Sequence, residues 1–160
     1  MGLVQAKSGL DLDRGLTNGP PMKFDELELP EPLLQAIADL GFDTPTPIQA
    51  QALPFVIQGR DVAGQAQTGT GKTACFLLGV MTTLLKTERP KDGSPRALVI
   101  APTRELALQI ADDAKQLATY TDYNIGVACG GLSWTNQAKA LEEGVDIIVG
   151  TPGRLMDFEK

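Results

Sequence analysis

Ala66-Gln67-Thr68-Gly69-Thr70-Gly71-Lys72-Thr73 is the stretch that leaves this chain fewest folds. A short apolar run, Asp61-Val62-Ala63-Gly64, precedes it, and Ala74-Cys75-Phe76-Leu77-Leu78 follows it with helical character. A loop of small residues between a strand and a helix lets successive backbone N–H groups turn inward around an anion. Lys72 is then placed to reach the outer phosphates of a nucleotide, and the Thr73 hydroxyl to hold Mg²⁺. The pattern is that of a P-loop in which Ala66 stands where glycine is usual, and alanine is still small enough for a crowded turn. Taken alone, the octet also reads as a glycine-rich loop ending in a solvated lysine.

From Asp61 onward the sequence repeats strand, turn and helix. Strands are predicted at Val62–Gly64, Ala97–Ala101, Ile125–Cys129 and Ile147–Gly150, and helices at Lys72–Lys86, Arg104–Tyr120, Thr135–Leu141 and Gly153–Phe158. The segment Thr87 to Pro95 holds Pro90, Gly93 and Pro95 and reads as a loop. Short apolar strands alternating with amphipathic helices predict an α/β fold, a parallel sheet with right-handed crossovers. Ligands of such sheets bind in the loops after the carboxyl ends of the strands. Upstream, Pro30-Glu31-Pro32 opens a helix carrying Leu33, Leu34, Ile37 and Leu40 and stopped by Gly41. A second helix starts at Thr46-Pro47, threonine as cap and proline first, with Ile48, Ala52, Phe55 and Val56 on one face. Residues 1–21 are rich in Gly, Asn and Pro and predict a mobile tail, leaving 22–160 as the folded part.

Composition excludes several chemistries. The 160 residues contain no histidine, which removes Ser-His-Asp and Cys-His triads and imidazole acid–base work. Cys75 and Cys129 are too few for a disulfide framework or a metal knuckle and are predicted reduced and buried. No run approaches a membrane span and no secretion signal opens the chain, so a cytoplasmic protein without membrane partners is expected. With 14 Lys and Arg against 20 Asp and Glu the net charge is −6, so any nucleic-acid site must be local. The pairs Asp112-Asp113 and Glu142-Glu143 read as solvated helix faces.

Five segments then fall into a familiar order. Phe24, Gly41-Phe42-x-x-Pro45-Thr46-Pro47-Ile48-Gln49 and Ala66–Thr73 together resemble the Q motif and motif I of DEAD-box ATP-dependent RNA helicases. Pro102-Thr103-Arg104-Glu105-Leu106 resembles motif Ia, Gly130-Gly131 the glycine pair, and Thr151-Pro152-Gly153-Arg154 motif Ib. The resemblance implies a RecA-like P-loop NTPase fold with ATP and Mg²⁺ as cofactors. It implies that Gln49 and the backbone near Thr44 read adenine and that Phe42 and Phe24 pack around the base. An amide offers the donor and acceptor that adenine N6 and N7 require, while Phe24 reads equally well as a core anchor. It further implies that Pro102, Thr103, Arg104, Gly130, Gly131, Thr151, Pro152, Gly153 and Arg154 contact RNA sugar and phosphate with little base specificity. Without it, the first of these segments is a capped helix with a solvated arginine and the second a plain turn. The wording resembles the bacterial branch, including helicases associated with RNA-degradation machinery.

Hydrolysis needs a carboxylate at the end of an apolar strand to hold Mg²⁺. Ala97–Ala101 ends in Pro102-Thr103, Ile125–Cys129 in Gly130, and Ile147–Gly150 in Thr151, while Asp146 lies at the wrong edge. Lys72 and Thr73 are therefore the only catalytic candidates, and the resemblance implies a chain truncated before the Asp-Glu-Ala-Asp strand. The same resemblance implies that this strand lies beside the P-loop strand, so that without it a sheet edge is unpaired. The expectation is a helicase fragment that binds ATP and RNA without turnover. Another P-loop protein, a kinase or DNA translocase, and a non-catalytic interaction module are the alternatives.

Overall fold

A computed structural model describes residues 23–159, so the tail expected over 1–21 lies outside the described residues. These residues fall into two compact units, one ending at Thr83 and one beginning at Leu84.

In the first unit a 3-10 turn, Phe24–Glu26, leads to helix α1, Glu31–Asp39. Pro32 sits in its first turn, where a missing N–H costs nothing, and Leu33, Ala36 and Ile37 form its buried face. Gly41 ends it with φ +72°, a conformation open to glycine. Helix α2, Pro47–Val56, has Thr46 as its N-cap, as the sequence predicts. Its buried side chains are Gln49, Ala52 and Leu53, whereas Ile48, Phe55 and Val56 are half-buried. The face expected from apolar residues is thus rotated, because hydrogen bonds draw the Gln49 amide inward. Helix α3, Lys72–Leu85, follows the P-loop. Gly79 lets α2 and α3 approach, since a Cβ there would collide with the Val56 side chain.

The strand expected at Val62–Gly64 does not form. Among the described residues no backbone hydrogen bond joins 61–65 to a neighbour, and a strand exists only through its ladder. The P-loop is therefore entered from an extended segment.

The second unit contains strand β1 (Ala97–Ile100), helix α4 (Arg104–Leu117), β2 (Ile125–Ala128), helix α5 (Trp134–Glu142), β3 (Ile147–Gly150) and helix α6 (Pro152–Glu159). The strands form a parallel sheet in the order β1-β3-β2, with Ala97 and Ile125 both opposite Ile147. The chain steps across the sheet in one direction after β1 and returns after β2, so right-handed crossovers put α4 and α5 on opposite faces. Ile147 and Val149, on the central strand, are completely buried. On the other face, a Cβ on Gly126 would strike Val145 and come against Leu141 of α5, and one on Gly150 would strike Leu155 of α6. Leu98 and Ile100 on β1 remain 55% and 60% exposed on that same face.

Asp146 lies at the amino end of β3, as the sequence placed it. It is 4% exposed, and its carboxylate accepts from Arg89 Nε at 2.9 Å, Arg96 Nη1 at 3.2 Å and the Asn124 N–H at 3.0 Å. Burial alone would push its pKa up; these donors win and hold it below the ordinary carboxylate value. Asp113 departs from the expected solvated pair, since partial burial and neighbouring Asp112 raise its pKa.

Candidate functional site

The P-loop is built around two glycines with positive φ, Gly69 at +79° and Gly71 at +85°. Cys75 N–H donates to Gly71 O at 3.1 Å, the bond that opens α3. The backbone N–H groups just before it therefore have no helical acceptors, which is the arrangement an anion requires. Lys72 Nζ donates to the carbonyls of Ala66 and Gln67, each at 2.5 Å. The Thr70 hydroxyl donates to Gln67 O at 2.8 Å and holds the loop in a tight curl. The Thr73 hydroxyl has no protein partner among the described residues. A free hydroxyl at the helix start fits a ligand to nucleotide-bound Mg²⁺. Gln67, Thr68 and Gly69 line the exposed side of the loop, and Ala66 is half-buried.

The segment from Gly41 to Gln49 reaches the same loop. Gln49 is 3% exposed; its Nε2 donates to Gly71 O at 3.0 Å and its Oε1 accepts from Thr46 N at 2.9 Å. The Thr46 hydroxyl donates to Thr70 O at 2.8 Å. A Cβ on Gly71 would run into the Gln49 amide, so glycine is needed there for close approach as well as for φ. The amide keeps a second N–H and a second lone pair beyond these bonds. Phe42 is 41% exposed and offers its ring, Thr44 is exposed, and Phe24 is 3% exposed within the unit's interior. The sequence marks Thr46 as the cap of α2 but not as a residue that ties to the P-loop. Its signal was the Thr-x-x-Gln capping box that Thr46 and Gln49 form at the start of α2.

Cys75, behind the loop, is no nucleophile: burial pushes its thiol up to about 11. Both cysteines are free and buried.

In the second unit the three loops after the strands converge. Thr103 caps α4, its hydroxyl accepting from Leu106 N at 3.2 Å, and exposed Pro102 and Arg104 flank it. Gly131, with φ +74°, turns the chain after β2, and a Cβ there would strike the Arg104 guanidinium. Arg154 Nη1 donates to Leu132 O at 3.5 Å, a long bond that joins the loop after β3 to the loop after β2. Thr151 N donates to Ala128 O at 2.9 Å, which sets the start of α6 beside β2. Gly130, Pro152 and Gly153 are exposed. Among the described residues neither Arg104 nor Arg154 is in an ion pair, although the chain is acidic overall. Two guanidiniums outside any ion pair, in the first turns of α4 and α6, can grip phosphate.

A three-stranded parallel α/β unit follows, in sequence, a P-loop tied to a glutamine-bearing helix, the order of elements of a P-loop nucleotide-binding fold. Residues 46–160 match the DEAD/DEAH box helicase family, and the chain belongs to that family. It is 52% identical over 142 residues to the ATP-dependent RNA helicase RhlB of Pseudomonas aeruginosa (strain UCBPP-PA14), which covers 86% of this chain and 36% of that protein. It is 50% identical over 137 residues to the ATP-dependent RNA helicase SrmB of Escherichia coli (strain K12), covering 86% of this chain and 31% of that protein. The chain spans about a third of the length of these relatives. Among the described residues no helix is long and apolar enough to cross a membrane.

Proposed function

We propose that this chain is the ATP- and RNA-contacting front part of a cytoplasmic ATP-dependent RNA helicase. Gln49 and the backbone near Thr44 read adenine, Phe42 packs on the base, and Phe24 supports it from the interior. The loop Ala66–Thr73 cradles the phosphates, with Lys72 swinging from the loop carbonyls to the outer phosphates and Thr73 holding Mg²⁺. The observation that carries this reading is the Gln49 hydrogen bond to Gly71, which fuses the base-reading helix to the phosphate loop. RNA backbone lies on Pro102–Arg104, Gly130-Gly131 and Thr151–Arg154. Association with RNA-degradation machinery belongs to the same proposal and is carried by sequence resemblance alone.

The chain on its own binds without turnover. No Asp or Glu occupies 101–103, 129–133 or 151, the loops where a Mg²⁺-holding carboxylate would stand. The test is a titration of the purified chain with a fluorescent ATP analogue, alongside phosphate release with and without RNA. Saturable binding that disappears in Lys72→Ala is expected, with no RNA-stimulated release. Unchanged binding in Lys72→Ala would overturn the phosphate-loop assignment, and substantial RNA-stimulated hydrolysis would overturn the claim of inactivity.

A further inference from the structure

Trp134 is not part of any motif above, yet it stands at the end of the proposed RNA track. It is the only tryptophan in the chain and is 53% exposed. So large an aromatic surface is normally covered. Three features fix where it stands. Gly131 turns the chain after β2, and Ser133 caps α5, its hydroxyl accepting from Asn136 N at 3.3 Å. That cap sets Trp134 as the first residue of the helix. Phe158 of α6 then backs the indole, with ring centroids 5.5 Å apart and planes tilted by 33°. The Arg154 guanidinium lies 5.9 Å from the Phe158 ring centroid and reaches the Leu132 carbonyl, so the cation and both rings form one cluster.

We infer that Trp134 is a stacking platform for a base of the RNA strand whose phosphates meet Arg104 and Arg154; this rests on the RNA reading proposed above. An exposed ring beside unpaired guanidiniums is the combination single-stranded nucleic acid uses. Cations hold the backbone while the ring takes a base face of any sequence. An apolar protein segment would cover the ring but leave both guanidiniums without a counter-charge. Glycine turns and phosphate contacts alone carry no grip on the bases, and Trp134 supplies one at the strand's end. Stacking on it is tolerant of sequence, since every base has a π-face.

The single tryptophan makes the test direct. Short oligouridylate carrying a terminal fluorescein reports binding by anisotropy, and the unlabelled strand reports stacking by quenching of Trp134 emission. Saturable quenching that tracks the anisotropy is expected, and an abasic strand of equal length should bind without quenching. Trp134→Ala and Trp134→Leu should each weaken oligouridylate binding about tenfold, with the salt dependence unchanged, while Trp134→Phe keeps most of it. Leucine retains apolar contact with Phe158 but has no π-face, so it separates stacking from packing; circular dichroism verifies the fold of each variant. Binding with unchanged emission, equal quenching by the abasic strand, or full affinity in Trp134→Leu overturns the platform and leaves the RNA reading intact. No anisotropy change with the wild-type chain at low salt overturns the RNA reading, and the platform with it.

Discussion

The two units hold their candidate residues in opposite ways. In the first, Gln49 and Thr46 turn inward and each donates to a P-loop carbonyl while Gln49 Oε1 closes the α2 cap, so the proposed binding geometry and local stability share the same hydrogen bonds. In the second, Arg104 and Arg154 stand in the first turns of α4 and α6 and carry no ion pair among the described residues. The buried charge there belongs to Asp146, at the other end of the sheet. A pocket for a small ligand needs walls fixed to a fraction of an ångström, whereas a backbone track needs positive charge that can adjust. Substitution in the first unit should therefore move stability and binding together. In the second it should separate them.

The largest expected effect lies at Asp146. Asp146→Asn leaves Arg96, itself 6% exposed, without its counter-charge, and should cost about 3–5 kcal/mol in urea unfolding. The pH dependence has a definite sign. The folded pKa of Asp146 is depressed, so its contribution is complete above the unfolded value near 3.9 and is lost as pH falls through the lower folded value. Wild-type stability should decline below about pH 4 more steeply than that of Asp146→Asn. Parallel acid profiles would remove Asp146 from the account.

Next comes Gln49→Ala, which strips the Gly71 carbonyl and the Thr46 N–H of their partners at once. A loss of about 1–3 kcal/mol is expected by thermal melting, accompanied by weaker ATP binding. Retained stability with lost binding would show that the two functions of this amide are separable, contrary to the comparison. Thr103→Ala removes one helix cap and should cost about 1 kcal/mol. Smallest in stability is Arg154→Ala, within about 0.5 kcal/mol of wild type. Its RNA affinity should nevertheless fall, and the slope of log affinity against log salt should drop by about 0.7 for a single strand. Destabilisation as large as that of Gln49→Ala would erase the contrast between the units.

Much of this was legible from residue order because the signals were local. Thr46-Pro47 marked the start of α2, Gly41 the end of α1, and Ile147–Gly150 its strand to the residue. Elsewhere tertiary pairing decided. Val62–Gly64 has strand composition but no ladder, and nothing in its own residues states whether a neighbour will pair with it. The inward face of α2 was misread because apolar periodicity ranks Gln49 as polar, while its burial depends on the Gly71 and Thr46 backbones. The P-loop octet was visible at once, but the Thr46 bond to Thr70 spans 24 positions and left only a capping box as its trace. Trp134 showed no pattern at all, since its exposure follows from a cap and a ring contributed by another helix.

The central claim is that the Gln49 helix and the Ala66–Thr73 loop form one adenine-nucleotide site. Competition titrations of ATP against GTP on the wild-type chain and on Gln49→Ala test it most directly. The account expects the wild type to prefer ATP and Gln49→Ala to lose that preference, whatever its loss of overall affinity. Equal affinity of the wild type for ATP and GTP, or an ATP preference that survives Gln49→Ala, would contradict it.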